Sequence, residues 1–341
     1  VENETGLTVR GVDFEQAYDR NDVLQQNCSV CTHRNPVIFD EMVADPVEEQ
    51  KGVDRYADVR TIESMIAEID RKLTEQVNKI LHHEDFQKLE GAWRGLHYLV
   101  NNTETDEMLK IRVMNISKKD LHKTLKKFKG TAWDQSPIFK KLYEEEYGQF
   151  GGEPFGCIVG DYYFDHSPPD VELLGEMSKV CAAIHAPFIS AAGPTVMRME
   201  SWQELANPRD LTKIFQTPEY AAWKSLRESE DARYIGLAMP RFLSRLPYGA
   251  KTNPVEEFDF EEDTEGARHD KYTWANSAYA MATNINRSFK LYGWCSRIRG
   301  VESGGDVQEL PAHTFPTDDG GKPTCNSRRR SKGRARGAYK M

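Results

Sequence analysis

Cys157, Asp161, Asp165 and His166 lie close together along the chain and are the residue types that carry nucleophilic or acid–base chemistry. With Cys157 or Asp161 as the reacting group and His166 as its base, they outline a cytoplasmic α/β hydrolase. Two features argue against that outline. No G-x-S-x-G elbow surrounds a serine, and Cys157 sits in the apolar run Cys157–Val159, where desolvation raises a thiol's pKa and leaves it inert. Asp165 and Ser167 are better suited to bonding turn amides.

Other groupings weaken in the same way. Cys28, Cys31 and His33 form C-x-x-C-x-H, half of a zinc site, but no second Cys/His pair lies within zinc-finger distance. They read as incidental thiols. His82, His83 and Glu84 are consecutive, and neighbours on a helix point about 100° apart, which disfavours chelation and fits a helix junction. Glu144–Glu146 reads as surface. Glu256–Glu265 holds seven acidic residues around Phe258 and Phe260 without the spacing of an EF-hand loop, so it reads as a solvated loop. Neither G-x-G-x-x-G nor G-x-x-x-x-G-K-[ST] occurs. No catalytic, cofactor-binding or metal-binding residue is assigned.

The elements that would position these side chains are clearer. Phe155–Leu174 reads as a buried strand, a Ser167-Pro168-Pro169 stop with Ser167 as cap, and a helix from Asp170, placing it in the middle of an α/β core. Ile62, Met65, Ile66, Ile69, Leu73, Val77, Ile80 and Leu81 repeat at three- and four-residue steps and predict a long amphipathic helix. Asp85 is placed to cap a second helix with Phe86, Leu89, Trp93, Leu96 and Val100 as its apolar positions. Gly91 and Gly95 there imply close backbone packing. Leu109–Ile116 alternates like a strand, and Ser117 with Asp120 starts a helix. Lys119, Lys123, Lys126 and Lys127 share that helix's outer face. They form either a solvated face or a docking stripe for an acidic neighbour, which charge reversal at Lys123 and Lys127 would weaken. Further helices are expected over Ser136–Tyr147, Val171–Ile184, the 217–226 stretch and 272–294, and strands over Phe188–Ala192 and Tyr234–Met239. Alternating strands and helices imply an α/β fold with a mixed, largely parallel sheet flanked by helices.

The 341-residue chain has a net charge of −9 and can bury a sizeable core. The acidic balance argues against nucleic acid as the main partner. Residues 322–341 hold eight Lys or Arg and no acid, and the remainder stands at −17. That basic tail is expected to be disordered, the product of a truncated or out-of-frame gene, with nucleic-acid binding as the alternative. No apolar run is long enough to span a membrane, and the first 30 residues lack a signal-peptide core. Six scattered cysteines suit a reducing cytoplasm. The organisation expected is an arm over 1–57, an α/β domain over 58–321 and the tail over 322–341.

Long stretches carry a specific likeness. HHEDFQKLEGAWRGLHYLVNNTE, LKIRVMNISKKDLHKTLKKF, TAWDQSPIFKKLYEEEYGQFGGEPFG, GDYYFDHSPPDVELLGEM, SWQELANPRDLTKIF, RFLSRLPYGAKT and NRSFKLYGWCSRIRGVESGG resemble the large subunit of the type VI secretion contractile sheath, the TssC/VipB/EvpB family, over roughly 59–321. The resemblance implies a contractile tail-sheath-like fold and a non-enzymatic building block of the Gram-negative cytoplasm. It implies pairing with a small sheath subunit of the TssB/VipA family and polymerisation with further copies around an inner tube. It also implies contact with a baseplate and recycling by a ring-shaped disassembly ATPase of the ClpV type. Residues 1–57 and the stretch after Gly321 depart from the family pattern, so a chain able to resemble a sheath subunit without assembling, and prone to aggregate when expressed alone, is a further expectation.

Overall fold

A computed structural model describes residues 55–311 except 131, 207–210, 265–268, 301–303 and 308–309. The C-x-x-C-x-H stretch, the arm up to residue 54 and the basic tail lie outside the described residues. The chain falls into two units, Val1–Glu63 and Ser64–Met341. Of the first, only the opening of helix α1 is described.

Helix α1 runs over Arg55–Leu81 and α2 over Glu84–Asn101. The cap between them differs from expectation: His83, not Asp85, is the N-cap, its Nδ1 accepting from Asp85 N at 3.3 Å. The ring nitrogen supplies the acceptor that Asp85, already inside the first turn, cannot. Leu109–Ile116 is the next departure. Alternation marks an extended backbone but does not supply a partner edge, and among the described residues this segment has no ladder. Side chains hold it instead. Lys110 and Arg112 pair with Glu153, and Ile116 O accepts from Tyr162 Oη at 2.8 Å.

Helix α3, Lys118–Lys127, starts as expected, with Ser117 Oγ accepting from Asp120 N at 3.0 Å. Helix α4, Pro137–Phe139, continues as a π-helix over Lys140–Tyr147 rather than as a uniform α-helix. The wider turn brings residues four apart closer to register. It accompanies a column of Phe139, Tyr143 and Tyr147 with ring centroids 4.9 and 5.3 Å apart.

Strand β1 (Ile158–Phe164), helix α5 (Pro168–Ile184), strand β2 (Phe188–Ala192), helices α6 (Leu211–Ile214) and α7 (Ala221–Glu228), and strand β3 (Ile235–Ala238) follow. The sheet is parallel in the order β1-β2-β3. The strand expected at its middle is therefore an edge strand among the described residues, and β2, buried at all five positions, is central. Ser167 makes no side-chain cap bond. Asp165 Oδ1 accepts from Ser167 N at 2.7 Å, and Asp170 Oδ2 reaches back to Asp165 N at 2.8 Å while taking Lys118 Nζ at 2.7 Å. A carboxylate ties a turn more firmly than a hydroxyl because its bonds are charge-assisted.

Strands β4 (Phe242–Leu243) and β5 (Trp274–Ala275) form a small antiparallel pair. Helix α8, Ser277–Tyr292, is capped by Asn276 and ends at Gly293, whose φ of 65° suits a glycine. The second unit is layered. Phe188 and Leu237 point to the α5 side with Leu174 and Val180, whereas Ile189 meets Ala278 and Ile285 of α8 on the other. Helix α3 packs outside α5 through Leu121 and Leu125. Helix α2 packs outside α8, where Cβ atoms on Gly91 and Gly95 would lie 2.4 Å from Trp274 O and from the Tyr279 ring.

Candidate functional site

The hydrolase residues do not converge. Cys157 precedes β1 and His166 follows it, so they sit at opposite ends of a seven-residue strand. Burial pushes the Cys157 thiol up to about 12, which removes the thiolate. Asp161 points to α8. Burial raises its carboxyl, while hydrogen bonds from Asn276 and Tyr279 partly counter the rise. His166 stacks on Tyr220 with centroids 4.4 Å apart, its Nδ1 enclosed without a bond. Among the described residues no hydrogen bond joins Cys157, Asp161 and His166, so no nucleophile–base pair is assembled.

A cleft of about 680 Å³ lies at the carboxyl ends of the parallel strands, where ligands of open α/β sheets collect. Tyr163, Gly193, Trp202, Arg241 and His269 line it. Burial, then Arg241, lowers His269 to about 4, so at neutral pH it carries no charge. Arg241 lies 4.7 Å over the Trp274 ring. Glu200 and Asp270 also line the cleft, beside a wall of stacking and desolvated groups.

The densest polar cluster was not legible in the sequence. Arg245 is 6% exposed and Glu262 7%. The Arg245 guanidinium donates through Nε to Glu90 Oε1 at 2.6 Å and through Nη1 to Glu262 Oε2 at 2.5 Å. Tyr248 N donates to Glu262, Thr273 Oγ1 donates to Glu90, and Arg94 pairs with Glu90 from the next turn of α2. Burial alone would raise the Glu90 carboxyl. Hydrogen bonds and charge from Arg245, then Arg94, hold it below the usual range. Every strong donor and acceptor is matched, which is how buried charge is tolerated. The available sequence signal was one of context for Arg245 alone, a single charge among Phe242, Leu243 and Leu246, whereas Glu262 lies between Glu261 and Asp263 and carried none.

The consecutive His82, His83 and Glu84 separate as expected of a junction. His83 caps α2, whereas His82 Nε2 turns inward to 3.7 Å from Glu262, too far for a hydrogen bond. Glu144 and Glu145 are exposed, while Glu146 accepts from Glu153 N. In the acidic stretch Phe260 and Glu262 point in and Asp259, Glu261 and Asp263 point out, so the carboxylates diverge.

The surface feature of this molecule is apolar. Met65, Ile66, Ile69, Leu73 and Ile80 of α1 are exposed, and Met65 is 59% open. Leu89, Trp93 and Val100 of α2 are likewise exposed, with Trp93 at 63%. Their spacing gives each helix a continuous outward apolar face, the kind of surface that marks a protein–protein contact. No helix among the described residues is long and apolar enough to cross a membrane.

Residues 63–327 match the VipB family, described as the EvpB tail sheath N-terminal domain. Over 279 residues the sequence is 79% identical to the type VI secretion system sheath protein TssC1 of Pseudomonas aeruginosa, covering 82% of this chain and 56% of that protein. The chain thus spans about half the length of the curated relative it matches.

Proposed function

This chain belongs to the VipB/EvpB tail sheath family, and on that premise we propose that it is a structural subunit of a type VI secretion contractile sheath. It pairs with a small sheath subunit and polymerises with other copies around an inner tube, on a baseplate in the Gram-negative cytoplasm. Contraction drives the tube outward, and a ClpV-type ATPase recycles the subunits. In this reading 58–321 is the sheath body, 1–57 an arm and 322–341 a basic tail. Energy is held in the extended lattice and released as interfaces repack, so the bistable element lies between subunits.

One observation carries the reading beyond the family match: α1 and α2 leave Met65, Ile66, Ile69, Leu73, Leu89 and Trp93 exposed. Each such side chain gains about 1.5–3 kcal/mol when fully buried, which a neighbouring subunit would supply. The hydrolase reading has no comparable support, because its three side chains are not joined. Co-expression with the small sheath subunit, followed by electron microscopy, tests the proposal. Tubules or a stable heterodimer are expected. A monomer indifferent to the small subunit would overturn it.

A further inference from the structure

The lysines of α3 divide into two sets. Lys118 is engaged by Asp170, and Lys126, with Lys129 from just beyond the helix, faces Glu172. Lys119, Lys123 and Lys127 are exposed at four-residue steps and form no ion pair among the described residues. Helix geometry spaces them about 6 Å apart along one face. Like charges at that spacing repel and weaken an isolated helix, so the stripe does not help α3 to fold.

The acidic stretch presents the complement. Phe260 and Glu262 are buried, with Glu262 held by Arg245, and this anchors the backbone. Glu256, Glu257, Asp259, Glu261 and Asp263 are exposed beside it. Lys271 pairs with Asp263, and Glu256, Glu257 and Asp259 have no cationic partner among the described residues. The alternation of burial from Phe258 to Asp263 is that of extended chain, whose outward side chains recur about every 6.7 Å. The two charge rows therefore have nearly matched steps. They also lie on opposite outer layers. The lysines sit on α3 outside α5, whereas the acidic stretch is tied to α1 by Asn78 and to α2 by the Arg245–Glu90 pair.

We propose that the Lys119–Lys123–Lys127 stripe of one copy docks on the Glu256–Asp263 ridge of a second copy of this chain. The contact deepens the sheath reading and rests on it. Because the two surfaces differ and face opposite ways, the contact is head-to-tail, and such contacts propagate as a ring or an open helix instead of closing as a dimer. Complementary charge of this kind sets register and weakens as salt rises.

The test exchanges the charges. Lys119→Glu with Lys123→Glu makes the stripe acidic, and Glu257→Lys with Asp259→Lys makes the ridge basic. None of the four side chains has a bond to lose among the described residues, and circular dichroism checks that both full-length variants are folded. Sedimentation velocity should show salt-sensitive self-association of the unaltered chain, dispersed species for each variant alone, and restored association when the two are mixed. Association of either variant like the unaltered chain, a dispersed mixture, or absence of low-salt association by the unaltered chain would each overturn the contact. Co-expression with the small subunit separates this failure from failure of the sheath reading. Tubules formed equally well by the Lys119→Glu/Lys123→Glu chain would leave that reading standing and remove this one.

Discussion

Around Gly91 and Gly95 the two sides of α2 invert the usual placement of residue types. Facing α8 and the 242–262 segment are Gly91, Gly95 and the charged Glu90, packed to backbone distance and joined to Arg245. Facing away are Leu89, Trp93 and Val100, apolar and exposed. At Gly91 and Gly95 the inner side has little volume, so it takes residues with no side chain and one carboxylate whose partner is supplied across the gap, while Leu99 is buried further along. The outer side has no partner in the chain and keeps its bulk. Side-chain size and the presence of a partner, not polarity alone, decide which side of this helix is the core.

Removing the charge partner should break the inner side most severely. Arg245→Met leaves Glu90 and Glu262 facing each other in an enclosed space, and loss of one member of such a group costs about 3–5 kcal/mol. Urea denaturation of the purified chain should show the midpoint falling accordingly. A variant within experimental error of the parent would mean that water, not Arg245, satisfies these carboxylates. The close approach is the next test. Gly→Ala inside an open helix gains up to about 1 kcal/mol from propensity. At Gly91 the new Cβ would meet the Trp274 carbonyl oxygen at 2.4 Å, and backbone cannot move aside as a side chain can. Gly91→Ala should therefore destabilise, by about 1–3 kcal/mol, reversing the usual sign.

Acidity sharpens the comparison with a smaller effect. Burial and then Lys271 lower the pKa of His82, outweighing the opposite pull of Glu262 and Asp263. A histidine depressed in the folded state contributes stability that is fully present above its unfolded value, 6.5, and is lost as pH falls below that through the folded value. Denaturation midpoints should decline across that window, and His82→Gln should flatten the decline. An unchanged slope would assign it to other groups, with His269, lowered to about 4, the first to examine.

The sequence made long periodic elements legible and contacts across the fold illegible. Helix α1, strand β2 and the Gly293 stop of α8 follow from local pattern, and the glycine pair of α2 announced a close approach without naming Trp274 or Tyr279. The cap at His83 was missed because a ring nitrogen is an uncommon acceptor there, and Asp85 had the commoner type. Leu109–Ile116 has a strand's alternation, but a ladder needs a second edge, and alternation says nothing of one. Among the described residues β1 is an edge strand and not the central one for the same reason, since strand order depends on crossovers between distant segments. Arg245, Glu90 and Glu262 were hidden because charged residues are ordinarily exposed, and the Arg245–Glu90 pairing spans 155 residues.

The outer side of α2 should respond in the opposite manner to the inner. Trp93 contributes little to the isolated fold if its ring is already in water, so Trp93→Ser should change the chain's own stability by no more than about 0.5 kcal/mol, as surface replacements do. Ile69→Ser on α1 should behave alike, because it too is exposed in the single chain. The same pair of substitutions should nevertheless reduce heterodimer yield or tubule formation with the small sheath subunit, since the apolar area they remove is area a partner would cover. Stability and assembly thus move apart on this side, whereas Arg245→Met lowers both. If Trp93→Ser instead lowered the urea midpoint as much as Gly91→Ala, the ring would be packed against this chain in solution and the outward face would be core. If it left both stability and assembly untouched, α2 would present an apolar face that no subunit uses, and the contact would have to be sought along α1 alone.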